Sequence, residues 1–302
     1  MKLNTGYLQK KYGKNLILSE NLSKYSWFNL GGPADIFFRP KDKDQLKEFI
    51  NEIRKDINEI NILGAGSNTL IRDTGVKGVV IKLGSKFSDL RLLEKDTIEV
   101  GAATLDKKVA DFAKSNGISN MEFLSCIPGS IGGAIVMNSG CYGSEISEIL
   151  QSIKVIDDKG LEKEIKNQEI NFYYRGTNLP KNYIIISAKL KGLLTSKQKI
   201  EEKQNLLIKR KKDSQPSQIK TGGSTFKNSD GTKAWMLIKE SGCDKLYVGD
   251  AKISEKHCNF FVNNGKAKAS DIENLIDKVK KEVQTKTGVN LELEIKIIGE
   301  KK

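Results

Sequence analysis

Five glycines fall within the fifteen residues from 129 to 143, inside Ile127-Pro128-Gly129-Ser130-Ile131-Gly132-Gly133-Ala134 and Asn138-Ser139-Gly140-Cys141-Tyr142-Gly143. Ordering a glycine costs more conformational entropy than ordering any other residue, and its missing side chain lets backbone come very close to a neighbour. The apolar run Ala134-Ile135-Val136-Met137 sits in the middle, where a surface loop would not place such residues. Two readings are open: backbone lining a flat or phosphorylated ligand, or a buried packing crossover. Ile131–Met137 is too short for a membrane helix and reads as buried strand or loop.

A second glycine-bearing segment is Leu63-Gly64-Ala65-Gly66-Ser67-Asn68-Thr69-Leu70-Ile71. Glycines that turn N–H groups toward one point, with Ser, Asn and Thr as further donors, make a nest suited to a pyrophosphate. An ordinary strand-to-strand turn is the alternative. The segment is not a dinucleotide fingerprint, because the third glycine and the following helix pattern are missing.

Around these segments the periodicities predict an α+β chain with mixed sheets. Residues 1–25 read as a loose helical arm. Strands are expected at Ile36–Arg39, Ile60–Leu63, Val79–Leu83, Thr97–Val100, Ser152–Ile156, Leu161–Ile165 and Tyr183–Lys191. Asp44–Arg54 and Leu105–Ser115 have helical spacing, with Gly117 ending the second. Thr195–Lys212 reads as a charged helix with Thr195 and Gln198 at capping-box spacing, and as a boundary element. Beyond it come a loop at Thr221–Asn228, a helix near Lys233–Glu240 and a strand at Phe260–Val262. A helix is expected to open on a capping box from Ser270 to Glu273, with Ile272, Leu275, Ile276, Val279 and Val283 on its apolar face. In a last strand, Leu291–Ile298, Glu292 and Glu294 share one face.

With 302 residues, 38% of them apolar, the chain can build two or three domains. No apolar run approaches the ~20 residues of a membrane helix, and residues 1–18 lack the apolar core of a secretory signal. A soluble intracellular protein without membrane insertion is expected. Lys and Arg total 51 against 38 Asp and Glu, a net charge of +13. The lysines alternate with acids and aromatics are only 7%, so the charge suits an anionic small substrate as well as a nucleic acid.

Individual side chains narrow the chemistry. Arg175 is one of only six arginines among those 51 cations and follows Phe172-Tyr173-Tyr174. It reads as a bidentate carboxylate or phosphate contact, or as a stacked structural arginine. Ser224 follows Gly222-Gly223, where a hydroxyl can approach a substrate or merely cap a turn. His257 is the single histidine and is taken as structural, so no metal site is expected. The four cysteines form no CxxC motif, and a disulfide framework is not expected.

Seven segments in order resemble the UDP-N-acetylenolpyruvoylglucosamine reductase family, also called UDP-N-acetylmuramate dehydrogenases. They are Asn29–Asp35, Gly64–Leu70, Pro128–Gly143, Tyr174-Arg175, Gly223–Asn228, Ser254–Phe260 and Glu294–Gly299. Three positions depart from the family pattern: Cys126 and Asp250 where Gly is usual, and Thr177 where Ser is usual. Only 48 residues lie between Arg175 and Ser224, which corresponds to the shorter class without an extra substrate-covering segment.

The resemblance implies a two-lobed FAD-binding fold of the vanillyl-alcohol-oxidase (PCMH) type at 26–194, with lobes at about 26–95 and 96–194. A C-terminal α+β substrate-binding domain would follow at 195–302. It implies non-covalent FAD held by Gly64, Ala65, Gly66, Ser67, Asn68 and Thr69, by Pro128, Gly129, Ser130, Gly132, Gly133, Ala134, Asn138 and Gly140, and by Arg210. NADPH would supply electrons in the cytoplasm to reduce UDP-N-acetylglucosamine enolpyruvate to UDP-N-acetylmuramate, a peptidoglycan precursor. Arg175, Ser224 and Glu294 would be catalytic, and Tyr174, Lys227 and Asn228 would bind substrate. The alternatives are a different FAD oxidase of the same fold and a basic nucleic-acid-binding protein.

Overall fold

Isoleucine and valine crowd Leu150–Ile156 and Ile184–Lys191, and both segments become strands buried along most of their length. In the computed structural model, which describes residues 4–54, 56, 59–229 and 231–301, they pair antiparallel at the centre of a five-stranded sheet. Glu162–Lys166 lies beyond the first, and Thr97–Gly101 then Leu90–Glu94 lie beyond the second. The helix Asp106–Ser115 buries Val109, Ala110 and Ala113 in the core of this sheet.

The chain divides into two units. The first comprises residues 1–18, 36–65 and 78–211, and the second 19–35, 66–77 and 212–302. The first also holds a smaller core, in which the helix Lys43–Ile53 buries Leu46, Phe49, Ile50 and Ile53. Phe38 and Phe49 stack there with ring centroids 3.9 Å apart. Tyr12 and Leu16 are buried in the same core, so the expected loose arm is ordered: a helix at Thr5–Tyr12 and a strand at Leu16–Asn21. Its first three residues lie outside the described ones.

The second unit has a four-stranded sheet in the order Lys220–Ser224, Phe260–Asn263, Ala251–Ile253, Tyr247–Val248. Across it lies the helix Ala269–Thr287, with Ile272, Leu275, Ile276, Val279 and Val283 buried as the periodicity predicts. Each such side chain contributes roughly 1.5–3 kcal/mol of transfer free energy before chain entropy is subtracted. The chain division falls elsewhere than at 26–194 and 195–302, because residues 19–35 and 66–77 are built into this unit. Gly32 N–H donates to the Arg72 carbonyl at 2.9 Å, and a Cβ on Gly32 would collide with the backbone of Asp73 and Gly75. Thr69–Ile71 then pairs in parallel with Lys296–Ile298.

Several local expectations change. Ile131–Val136 is a short helix, neither strand nor loop, because Ile131, Ala134 and Ile135 share a helical face that is buried. The charged helix spans Lys197–Ser214, and Ser196 rather than Thr195 accepts at its start, from Lys199 N–H at 3.4 Å. Of the expected last strand Leu291–Ile298, Lys296–Ile298 is paired as a strand, whereas Leu293 makes a single bridge to Phe226. Among the described residues no helix is long and apolar enough to cross a membrane.

The long C-terminal helix starts at Ala269 and is capped from a distance, not by its own Ser270–Glu273 box. Asp73 accepts from Ala269 N–H at 2.8 Å and Ser270 N–H at 2.9 Å. Glu273 is instead gripped by Arg72, whose Nε and Nη2 lie 3.0 and 2.9 Å from its carboxylate. Burial pushes the Asp73 carboxyl upward, but the two N–H bonds outweigh it and hold it below its usual value. A depressed folded pKa gives stability above the unfolded value of about 4 that is lost as pH falls through the folded one. Asp73→Ala should therefore cost about 1 kcal/mol at neutral pH, as loss of a cap does at a solvent-exposed site. Urea melts of the two proteins should converge as pH drops below about 4.

Candidate functional site

In the first unit the glycine-rich stretch is held from below by backbone. Ile131 N–H donates to the Thr104 carbonyl at 3.0 Å, and Gly132 N–H to the Ala102 carbonyl at 2.9 Å. A Cβ on Gly129 would strike the Asp106 carboxylate, and one on Gly140 would strike Ser144 and Glu145. Protein neighbours thus account for these glycines, whereas a Cβ on Gly133 would meet only Ser130 Oγ, at 3.8 Å. Asn138 is buried, with φ +40°, and its side chain joins two segments: Nδ2 donates to the Tyr173 carbonyl and Oδ1 accepts from Ser147 N–H.

That Tyr173 belongs to the hairpin carrying Arg175. Phe172-Tyr173 pairs with Gly176-Thr177, leaving Tyr174 and Arg175 as its two-residue turn. Arg175 has φ +59°, the left-handed region that a non-glycine residue occupies at a cost. Its guanidinium lies 4.8 Å from the Tyr174 ring centroid, and Nη2 donates to the Gly140 carbonyl at 3.1 Å. Both contacts are those of the stacked structural arginine that the sequence offered as one of two readings.

Two groups missed by sequence reasoning lie in the same unit. Lys82 is mostly buried and donates to the Gly64 carbonyl; burial, then the nearby Arg39 charge, lowers its pKa. The available signal was a lysine inside the apolar run Val79–Leu83. Asp106 is fully buried with neither oxygen hydrogen-bonded, and the Thr104 hydroxyl is in the same state. Burial alone raises the Asp106 carboxyl well above the carboxylate range. Arg210 is on the exposed side of Lys197–Ser214, away from the buried Ile200, Gln204 and Leu207.

The second unit brings Ser224 and Glu294 onto adjoining segments. Ser224 ends its strand opposite Phe260, after a bulge in which Gly223 has φ +78°. Asn259 holds the next two residues: its carbonyl accepts from Thr225 N–H at 2.8 Å, its Oδ1 from Phe226 N–H at 3.0 Å, and its Nδ2 donates to the Phe226 carbonyl at 2.8 Å. The Thr225 carbonyl in turn accepts from Glu294 N–H at 2.9 Å. On the far side of Glu294, Asn68 Nδ2 donates to the Glu294 carbonyl at 3.1 Å. His257 is structural as expected: Nδ1 accepts from Asn259 N–H at 3.2 Å, and burial lowers its pKa.

Other predicted contacts in this unit serve the fold in the first instance. Asn228 Oδ1 accepts from Ala234 N–H at 3.1 Å, at the start of the helix Ala234–Glu240. Lys227 Nζ lies 3.3 Å from the exposed Glu292 carboxylate. Gly66 is closely faced by the Tyr25 carbonyl, and the Thr69 carbonyl accepts from Ser26 Oγ at 2.8 Å. The unit division falls between Ala65 and Gly66, inside the predicted pyrophosphate nest.

Comparison with known proteins assigns both parts of the chain. Residues 34–166 match a family model described as an FAD binding domain. Residues 215–298 match the UDP-N-acetylenolpyruvoylglucosamine reductase C-terminal domain. The UDP-N-acetylenolpyruvoylglucosamine reductase of Pelagibacter ubique is 47% identical over 281 residues, covering 92% of this chain and 93% of the relative. The chain belongs to the UDP-N-acetylenolpyruvoylglucosamine reductase family. The reductase of Gluconobacter oxydans is 42% identical over 280 residues, 93% of this chain and 91% of its own. The crystal structure of the Thermus caldophilus reductase superposes with a TM-score of 0.81 at 33% identity, covering 94% and 98% of the two chains.

The residues present fit the FAD that the reductase family uses. On the outer side of the helix Ile131–Val136 a Cβ at Gly133 would meet nothing nearer than Ser130 Oγ at 3.8 Å, which leaves bare backbone open to a flat cofactor, whereas the Thr104 hydroxyl and Asp106 carboxyl are closed off by the chain itself.

Two outcomes test these assignments. Asn259→Ala strands the buried N–H and C=O of Phe226, so urea unfolding should show a loss of about 2–5 kcal/mol. Asp106 has a raised folded pKa, so its contribution is fully present below the unfolded value of about 4 and declines as pH rises above it. Asp106→Asn should therefore raise the melting temperature of flavin-free protein at neutral pH, with the advantage vanishing below about pH 4.

Proposed function

We infer that this chain reduces the enolpyruvyl ether of UDP-N-acetylglucosamine to the lactyl ether of UDP-N-acetylmuramate, a step of peptidoglycan precursor synthesis, with NADPH as reductant. Family membership over more than nine-tenths of the chain supports the reaction. The observation that carries the residue assignment is the Thr225 carbonyl accepting from Glu294 N–H at 2.9 Å, which fixes Glu294 beside the segment bearing Ser224. The cytoplasm, which holds both NADPH and nucleotide sugars, is assigned as the location.

FAD, when bound, would supply hydride chemistry between NADPH and the enolpyruvyl double bond. The chain's own residues manage the charge and the proton. Negative charge develops on the carbon next to the substrate carboxylate and spreads into that carboxylate. Arg175 provides a fixed cationic fork for it, held in orientation by Tyr174 and the Gly140 carbonyl. Preorganised charge of this kind is worth roughly 3–4 kcal/mol in a barrier. Ser224 Oγ gives its proton to the carbanionic carbon, a step open to a weak acid because the acceptor is strongly basic. Glu294, in its protonated form, would polarise the substrate carboxylate, and the alternative role is to position Arg175.

The holding of FAD is assigned to the backbone of Pro128–Gly140, to Gly64 and Ala65 with Lys82 behind them, and to Gly66–Thr69. Tyr174, Lys227 and Asn228 are assigned to the substrate, with the Lys227 ammonium leaving the exposed Glu292 for a diphosphate. A surface pair of that kind is worth at most about 1 kcal/mol, so exchange for a dianion is favourable.

Stopped-flow absorbance of bound flavin separates the two half-reactions. Ser224→Ala should leave flavin reduction by NADPH near normal and slow reoxidation by the enolpyruvyl substrate by about a hundredfold to ten-thousandfold. Ser224→Cys should recover part of the loss, because a thiol is the stronger acid. Glu294→Gln should show the same split and Glu292→Gln should be nearly silent. Equal slowing of both half-reactions in Ser224→Ala would remove Ser224 from the proton-donor role.

A further inference from the structure

Two cysteines fifteen positions apart bracket the glycine-rich stretch of the first unit. Cys126 closes the turn Glu122–Cys126, and Cys141 lies in the short strand Gly140-Cys141. The Cys141 thiol bonds at 3.4 Å to the Phe123 carbonyl, within the turn that ends at Cys126, and each thiol acts on the titration of the other. Ser125 Oγ lies 3.8 Å from Cys126 Sγ. Lys211 Nζ donates to the Cys126 carbonyl at 2.9 Å, which brings an ammonium next to the pair. The Arg175 charge also acts on Cys141.

We propose that Cys126 and Cys141 are a disulfide-forming pair, closed by hydrogen peroxide or another hydroperoxide and opened by thiol reductants, and that closure acts on Arg175 through Gly140. The neighbouring Cys141 thiol, then Ser125 and the Lys211 charge, outweigh burial and lower the Cys126 thiol below its ordinary value. Of the two thiols Cys126 is the more readily deprotonated, and the thiolate is the nucleophilic form. Its sulfur attacks one peroxide oxygen; the O–O bond breaks, leaving a sulfenic acid on Cys126 and releasing hydroxide. The Cys141 sulfur then displaces the sulfenic oxygen, which leaves as water with the Cys141 proton, and the S–S bond forms. Peroxide accepts the two electrons. A thiol reductant reverses the change by exchange through a mixed disulfide.

The linkage to Arg175 is one residue long. Gly140 immediately precedes Cys141, and its carbonyl accepts from Arg175 Nη2 at 3.1 Å. Gly140 is also paired with Glu145, and Cys141 with Ser144, so a pull on Cys141 moves a short ladder rather than a free loop.

Both cysteines fall in one tryptic peptide, Ser115–Lys154, because no Lys or Arg lies between those ends. Flavin-loaded protein would be treated with hydrogen peroxide, denatured, alkylated with iodoacetamide and digested. The peptide should escape alkylation at both cysteines and be two hydrogens lighter than its reduced form, and dithiothreitol should restore both alkylations. Cys243 and Cys258 should stay alkylated throughout. Cys126→Ser and Cys141→Ser should each abolish the light peptide. Sulfinic acid on Cys126 with Cys141 still alkylated would overturn the pairing, as would full alkylation of both at peroxide levels that oxidise free glutathione. Reductase turnover should fall at least twofold in step with the light peptide and return with dithiothreitol. Formation of the disulfide with turnover unchanged would overturn the coupling to Arg175. The mass readout is independent of the reaction assigned above.

Discussion

The three hydrogen bonds between Asn259 and the segment Thr225-Phe226 are the fixed point of the C-terminal unit. Phe226 is fully buried against Phe261, edge to face with centroids 5.7 Å apart, so its backbone cannot turn to water. Asn259 is itself buried, and its amide satisfies both polar groups of Phe226 at once. Burial makes these bonds mandatory, since an unpaired group there costs the full desolvation penalty. With Thr225 held by the same residue, its carbonyl is positioned to receive Glu294 N–H. The hydrophobic core and the adjoining segments that carry Ser224 and Glu294 are therefore tied together at one residue.

In the FAD-binding unit the corresponding role belongs to backbone lying directly on backbone. The residues Ile131 and Gly132 are bonded to Thr104 and Ala102, and side chains at Gly129 or Gly140 would collide with their neighbours. A segment tied down this way keeps its shape without a ligand. It also has little slack, which is why a new covalent bond at Cys141 would be felt at Gly140.

Patterns confined to one element were legible in the sequence. The helix Lys43–Ile53 and the apolar face of Ala269–Thr287 follow from spacing alone, because a period near 3.6 residues leaves few alternatives. The order of motifs identified the family, and with it the residues to look for. What was not legible depends on partners far apart in the chain. Asp73 capping Ala269 and Asn68 reaching Glu294 involve residues about two hundred positions apart, and no local pattern announces them. The glycines left both a ligand and buried packing open, and several prove to be required by protein neighbours, because the sequence shows that backbone must approach something and not what it approaches. Asn228 and Lys227 were legible as polar residues near Ser224, but not as a helix cap and a partner of Glu292.

The C-terminal unit is assembled from residues 19–35, 66–77 and 212–302. During synthesis the first two pieces emerge more than a hundred residues before the helix that Arg72 and Asp73 will hold. At typical elongation rates that is a wait on the order of ten seconds. Phe28, Leu30 and Leu70, all buried in the finished core, must pass that interval without their partners. The chain's exposure to misassembly and to chaperones is thus concentrated in two short, early segments. A gene fragment encoding only the last hundred residues would lack the apolar side chains and the helix cap that complete its core.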